Sequence, residues 1–376
     1  MNRWQVRRNR ETILKDAASV YPVRLADFDK DPYLYNCLNG TLDLRTREFR
    51  PHSPADMLSI IAKVRYIPEA RSELWERVIW EAMQGDMGKI AFLQKAMGYG
   101  LTGGTAEECF FILYGATTRN GKGTLMETYM RMQGGYGRTA RPESITQKQT
   151  VNSSGPSEDI ARPAGARVVN ISEPDKKMVL SAALVKTLTG NDKITARFLN
   201  ENSFEFYPQF KFFINTNHLP KVTDVTVFSS GRVKVIPFER HFSEAEQDKG
   251  LKKKLAQVGN LSGILNWCLD GLRLAQETGF DPPSAVLAAT AQYQRDSDKI
   301  TRFVEETMEP DITGEIRTEE AYQRYQNWCA LNGQYPESMP AFKQSMEAHT
   351  EYKFKRPRGA GRDAIKQRFF CGMKWR

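Results

Sequence analysis

The stretch GATTRNGKGT, residues 115–124, constrains this chain more than any other part of it. It stands between a continuous apolar run, Phe110 to Tyr114, and a segment of helical character from Thr124 to about Met132. Such a run reads as a strand buried on both faces. Strand, glycine-rich turn and helix in succession are the context that a phosphate-binding loop needs. Glycines let backbone N–H groups turn toward phosphate oxygens, and the start of the helix adds positive potential. Gly115, Thr118, Arg119, Asn120, Gly121, Lys122, Gly123 and Thr124 are therefore the candidate nucleotide-binding residues, with Lys122 reaching the β- and γ-phosphates. The pattern departs from G-x-x-x-x-G-K-[ST] twice. Five residues separate Gly115 from Gly121, and Gly123 stands where a magnesium-binding hydroxyl is usual. Thr124, one residue later, is the substitute ligand. Taken alone, the loop also reads as an ordinary strand-to-helix turn.

The alternation continues downstream. Arg167 to Ser172, Phe212 to Ile214 and Val233 to Phe238 read as buried strands. A helix with Leu180, Leu184 and Leu188 on one face precedes Gly190. Strands alternating with helices imply an α/β core on a parallel sheet. Ligands of such sheets sit at the carboxyl ends of strands. Glu173 follows Val-Val-Asn-Ile-Ser, Asn217 closes Ile-Asn-Thr-Asn, and Arg232 enters Val-Lys-Val-Ile-Pro-Phe. Paired with the loop, Glu173 is the candidate to polarise an attacking water and to share Mg2+ with Thr124. Asn217 is the candidate to contact that water or the γ-phosphate. Arg232, with Arg240 second, is the candidate to serve a neighbour's phosphate as an arginine finger. Each has an ordinary reading by itself: a solvated carboxylate, a turn asparagine, a surface salt bridge.

Upstream, Asn39-Gly40 between short apolar runs predicts a hairpin, and residues 72–101 have helical periodicity. Residues 141–160 are polar without period and read as a surface loop. The five cysteines form no C-x-x-C pair, so reduced thiols are expected rather than a disulfide framework or a zinc ribbon. No apolar run approaches the roughly 20 residues of a membrane helix, and the first residues have no apolar core like that of a secretory signal. A cytoplasmic protein with no membrane partner is expected.

The net charge is +9, and residues 351–376 carry nine Lys/Arg against two acids, 9 − 2 = +7. A basic terminal segment suggests a polyanion partner. Lys353, Lys355, Arg356 and Arg358, interleaved with Tyr352 and Phe354, are its candidate DNA contacts. Ahead of them, residues near 299–308, 318–331 and 339–348 read as three helices, followed by an aromatic and basic strand pair.

Taken in order, ILYGATTRNGKGTL, VVNISEPD, LVKTLTGNDKITARFLNENSFEFYP, FFINTNHLP and GRVKVIPFERHF resemble the superfamily 3 helicases, most closely the poxvirus- and phage-type primase-helicase family. YNCLNGTLDLRTREFRPHSP and LQKAMGYGLTG resemble that family's N-terminal extension, and the similarity covers roughly residues 35–245. The resemblance implies a P-loop, AAA+-like core. It assigns Lys122 to the phosphate-binding lysine, Glu173 to the catalytic acid, Asn217 to the sensor and Arg232 to the finger. It also implies a hexameric ring with ATP between subunits, and a DNA-contacting hairpin from the stretch Lys186 to Arg197. Period two along that stretch sets Ile194, Ala196 and Phe198 opposite Lys193, Thr195 and Arg197. Asn200, Glu201 and Asn202 suit the turn, and Phe204 and Phe206 return the apolar face. Lys186, Lys193, Arg197, Asn200 and Asn202 are the candidates to follow a sugar-phosphate backbone, the ordinary reading being a hairpin with a solvated basic face.

The expected organisation is an extension over 1–70, a helical segment over 71–108, the ATPase core over 109–245, a helical segment over 246–296, and a winged-helix-like module over 297–376. The expected activity is ATP-driven translocation on single-stranded DNA through a central channel, in phage, plasmid or mobile-element replication. Duplex or origin DNA is the expected partner of the terminal module, and a separate primase a further partner. With 376 residues there is no room for a primase in this chain, so no priming is expected of it. Three alternatives stay open: an origin-binding initiator with a structural nucleotide site, a small-molecule phosphotransferase, and a related motor acting on RNA.

Overall fold

The computed structural model describes residues 6–20, 23–24, 27–146, 157–172, 174, 178–222, 224, 226–349, 354–355 and 369–376. The chain divides into two compact units, Met1–Thr290 and Ala291–Arg376.

The first unit is built on a five-stranded, wholly parallel sheet. Its spatial order is Val233–Pro237, Phe110–Tyr114, Lys211–Thr216, Val168–Ser172, Gly137–Ala140. The three central strands carry continuous apolar side chains because helices cover the sheet. Phe111, Ile112, Val168, Val169, Phe213 and Ile214 are all buried. The sequence does not announce Gly137–Ala140, whose residues Gly-Arg-Thr-Ala make no apolar run. As an edge strand with exposed Arg138 and Thr139 it needs none. Leu180 also departs from expectation. It lies in the short strand Val179–Leu180, and the helix Ala182–Thr189 begins after Ser181, whose side chain caps Leu184 N–H at 3.3 Å. The buried face of that helix is Val185 and Leu188, with Leu184 half-buried.

The helices Glu73–Ala82, Met87–Tyr99 and Val258–Thr278 share one apolar core with the sheet and with the helix Lys122–Gln133. Ser72 and Asp86 cap the first two through Trp75 N–H and Lys89 N–H. Beyond Tyr99 the chain leaves carbonyls with no helical partner. Two buried cations take them: Arg167 donates to Leu101 O at 2.6 Å, and Lys211 donates to Thr102 O and, at 3.1 Å, to Gly104 O. Arg167 also reaches Leu34 O at 2.6 Å and lies over the Tyr136 ring, which ties the N-terminal hairpin to the sheet. Burial away from water holds both cations below their usual pKa.

That hairpin pairs Leu34–Cys37 with Gly40–Asp43. Cys37 lies opposite Gly40, so Leu38 and Asn39 make the turn, one residue ahead of the expected Asn39-Gly40. The Asn39 side chain fixes this register by accepting from Tyr66 N at 2.8 Å and donating to Tyr66 O at 2.9 Å. All five cysteines are free thiols, and burial pushes Cys37 and Cys109 up to about 12. Among the described residues no helix is long and apolar enough to cross a membrane.

The second unit runs helix Lys299–Thr307, strand Met308–Arg317, helices Thr318–Leu331 and Met339–His349, then strands Phe354–Lys355 and Phe369–Trp375. The three strands form an antiparallel sheet ordered Met308–Arg317, Phe369–Trp375, Phe354–Lys355. Phe303, Tyr325, Trp328, Phe342 and Phe370 make its core. The strand Met308–Arg317 was hidden in the sequence: it contains Pro310 and Gly314, and its register shifts between Pro310 and Glu315.

Candidate nucleotide site

Parallel pairing fixes where the candidate residues gather. Tyr114 lies opposite Thr216, and Asn215 opposite Ser172. The loop that begins at Gly115, the turn at Asn217 and the end of the Val168–Ser172 strand therefore share one carboxyl edge of the sheet. Lys122 opens the helix Lys122–Gln133, and its ammonium is turned back to this edge. It donates to Asn217 Oδ1 at 2.9 Å and lies 3.4 Å from Gly115 O. Two residues picked independently from the sequence thus meet through a direct hydrogen bond across 95 positions.

The loop is shaped for close approach. A Cβ on Gly115 would come closer than 3.0 Å to Asn120 Nδ2, Phe238 O and Lys122 Nζ, so only glycine fits. Asn120 is buried and donates to Thr117 O at 2.6 Å, which folds the loop on itself. Arg119 and Gly121 take left-handed φ values of 57° and 86°. Gly121, at the helix N-cap, offers no side-chain oxygen, so the first N–H groups of the helix stay open to an anion. A Cβ on Gly123 would meet nothing within 4 Å. Packing therefore does not demand glycine there, and Thr124 follows it as the first hydroxyl of the helix.

A strap that sequence reasoning did not assign holds the loop from outside. After the strand Val233–Pro237 the chain crosses the loop, where Phe242 N–H donates to Arg119 O at 2.8 Å and His241 Nδ1 lies 2.9 Å from Thr118 O. Arg240 pairs with Glu246, which anchors the strap. The available signal was topological: a parallel strand ends at the same edge as its neighbours. Beside the strap lies a cavity of about 420 Å³, bordered by Leu74, Val78, Gly121, Thr124, Phe242 and Leu251 among others. Its lining mixes apolar Leu74, Val78, Phe242 and Leu251 with charged side chains such as Arg77, Glu81, Arg119 and Lys252, a combination that can take a planar ring joined to phosphates.

Lys122 is 3 % exposed, and burial lowers its pKa to about 8. At pH 7 the ammonium is present and ready for an anion. Above pH 8 a bound triphosphate has to recapture its proton, so nucleotide affinity is expected to fall about tenfold per pH unit. The unliganded fold moves the other way. Between pH 8 and 10.5 the unfolded chain holds more protons than the folded one, so its stability rises with pH. Titrating a fluorescent ATP analogue from pH 7 to 9.5 checks the first expectation, and flat affinity over that range would remove Lys122 from the phosphate site.

Arg232 stands at the opposite edge of the sheet, where its backbone carbonyl accepts from Phe110 N–H. Its guanidinium is paired with the Glu108 carboxylate and donates to Thr189 Oγ1 at 2.9 Å. It does not join Lys122 within one chain. Glu173 lies outside the described residues, while Ser172 before it ends the strand at the loop's edge. Among the described residues no three His, Cys, Asp or Glu side chains gather as metal ligands.

The family description D5 N terminal like matches residues 3–84, and Poxvirus D5 protein-like matches residues 295–367. A family of unknown function, DUF5906, matches residues 113–227, a span that includes the loop and the turn at Asn217. These three matches fall in the N-terminal, C-terminal and central parts of the chain, which is thus similar to poxvirus D5-like proteins at both ends. A putative helicase of Acanthamoeba polyphaga mimivirus is 27% identical over 342 residues, covering 85% of this chain and 35% of that protein. A putative helicase of Frog virus 3 (isolate Goorha) is 25% identical over 406 residues, covering 86% and 41%. One of Invertebrate iridescent virus 3 is 24% identical over 335 residues, covering 80% and 35%. The chain therefore spans about two-fifths or less of the curated relatives it matches. Among solved structures, the apo C-terminal region of NrS-1 aligns with a TM-score of 0.48 and 14% identity, over 83% of this chain and 78% of that one.

The expected hairpin is present. Ile194–Ala196 pairs antiparallel with Phe204–Phe206, Ile194 and Ala196 are buried, and Asn200 takes φ 60° in the turn. Asn200 and Asn202 are exposed. Lys193 is not free, since its ammonium lies 2.9 Å from Glu205. Lys186 lies on the preceding helix, 3.6 Å from Asp224, rather than on the hairpin. Arg197 is held through its backbone, with N–H donating to Ser157 Oγ at 2.9 Å. Lys353, Arg356 and Arg358 lie outside the described residues, and Lys355 sits in the strand Phe354–Lys355.

Proposed function

We propose that this chain is an ATP-driven replication helicase motor that draws single-stranded DNA through a ring of its own copies, a hexamer by family analogy. The observation that carries this reading is the Lys122–Asn217 hydrogen bond at the carboxyl edge of a parallel sheet, on a loop that also borders a cavity of about 420 Å³. The names of the viral relatives, putative helicases, support it.

In this reading the triphosphate lies over the start of the helix Lys122–Gln133, and the ring of the base enters the cavity walled by Leu74, Val78, Phe242 and Leu251. Lys122 exchanges Asn217 for the β- and γ-phosphate oxygens. Asn217, released, turns to the γ-phosphate or the attacking water, so the same hydrogen bond reports whether the site is filled. Glu173 orients the water as general base. Thr124 and Glu173 would hold Mg2+, which would supply neutralisation of phosphate charge. Arg232 reaches the phosphate of an adjacent subunit, for which its pairing with Glu108 must open. The second unit's order of helix, strand, two helices and two strands supports a winged-helix-like module that adds duplex or origin DNA binding. A separate primase is the expected functional partner.

Hydrolysis measured with and without single-stranded DNA, alongside the mass of the assembly, tests the whole. Stimulation by DNA in a ring-sized particle is expected. Arg232→Ala should keep nucleotide affinity and lose hydrolysis by about 10³-fold or more. Arg232→Ala turnover equal to wild type would reduce Arg232 to a salt bridge with Glu108.

A further inference from the structure

We infer that the hairpin Ile194–Ala196/Phe204–Phe206 holds single strands by their bases, through Tyr207 and Leu199, and not by their phosphates; this rests on the motor reading above. Charge excludes the phosphate route as the main one. Residues 193–207 contain Lys193 and Arg197 against Glu201 and Glu205, 2 − 2 = 0. Lys193 already has its counter-charge in Glu205 at 2.9 Å. Phosphate affinity comes from cations that displace counterions from the strand, and a cation closed into its own ion pair displaces few.

What the hairpin exposes instead is apolar. Leu199, next to the left-handed Asn200 in the turn, is 62% exposed, and Tyr207, just past the second strand, is 60% exposed. The neighbouring rings are spent on the scaffold: Phe198 stacks on Phe204 at 5.6 Å and 17°, and Phe204 lies 5.8 Å from Phe206. Tyr207 therefore stands on a stiffened base, and an exposed ring on a rigid support is a stacking platform. The Lys193 ammonium lies 5.8 Å from its ring centroid. The ion pair thus serves to position the ring and to cancel charge. Stacking of this kind accepts any base, as a translocating motor requires.

The test is fluorescence anisotropy of the full chain with labelled oligothymidylate and with an abasic oligonucleotide of equal length, across a salt series. Tyr207→Ala should lose about 5- to 150-fold in affinity for oligothymidylate with its salt slope unchanged. Tyr207→Phe should restore binding, and discrimination against the abasic strand should vanish in Tyr207→Ala. Wild-type affinity in Tyr207→Ala, or a salt slope that flattens in Lys193→Ala while Tyr207→Ala has no effect, overturns the inference and leaves the motor reading standing. A wild-type protein that binds nucleotide but neither oligonucleotide overturns both.

Discussion

Lys122→Ala is expected to abolish steady ATP turnover while leaving the fold at least as stable as before. The two effects have one origin. The ammonium is 3 % exposed, with an amide oxygen and a carbonyl as its partners in place of a carboxylate. Keeping a cation there costs desolvation free energy that the empty site does not recover. Removing it lifts that cost and frees Asn217 Oδ1 to take water from the half-open edge. The bound triphosphate, in contrast, loses the charge that makes the site worth its cost. Loss of one preorganised donor to a developing charge lowers rates about 10²–10³-fold, and here the same group also anchors the ground state. Turnover should therefore drop to background, with a melting temperature equal to or above that of wild type. Lys122→Met keeps the stem and separates charge from packing, and both variants should behave alike. A variant retaining a tenth of wild-type turnover would put the chemistry somewhere other than this loop.

Much of this was legible because chemistry and periodicity agree where the core is built. Phe110–Tyr114, Val168–Ser172 and Lys211–Thr216 each hold a short apolar run that reads as a buried strand, and the glycines at 115 and 121 announce the turn between strand and helix. The hairpin at 194–206 followed from strict alternation. Failures came where burial is partial or where a partner is distant in sequence. Gly137–Ala140 is an edge strand and carries no apolar signature. The Leu180 error came from extending a helical period across the capping residue Ser181. The Lys193–Glu205 pair and the His241–Phe242 strap are contacts between segments, and no local pattern encodes them. Nothing local in the sequence gives Arg167 or Lys211 a partner; only the fold brings the carbonyls of Leu34, Leu101, Thr102 and Gly104 to them.

The same distinction predicts which glycines tolerate change. Helices Met87–Tyr99 and Val258–Thr278 approach with their backbones in contact, through Gly98 on one and Gly271 on the other. A Cβ on Gly98 would come closer than 3.0 Å to Cys268 O and Leu272 N, and one on Gly271 closer than 3.0 Å to Gln94 O. These are backbone atoms in regular helices, so neither can swing aside, and the helices must separate. Alanine would gain about 1 kcal/mol of helix propensity. Overpacking in a core costs about 1–3 kcal/mol even where side chains can move, so rigid contacts lie at the upper end or beyond. Gly271→Ala should therefore lose about 2–3 kcal/mol net, a drop of roughly 3–5 °C in melting temperature for a unit of this size. Separation would also reach the nucleotide site. Gln133 on the loop's helix donates to Gly100 O at 3.0 Å and Tyr129 donates to Met97 O, so that helix follows its neighbour. Turnover should fall along with stability. Gly259→Ala, on the same long helix but with nothing within 4 Å of its Cβ, should instead stabilise by up to about 1 kcal/mol. Opposite signs from one helix are the signature of backbone contact. If Gly271→Ala melts no lower than Gly259→Ala, the two helices do not touch, and the core that supports the loop is packed some other way.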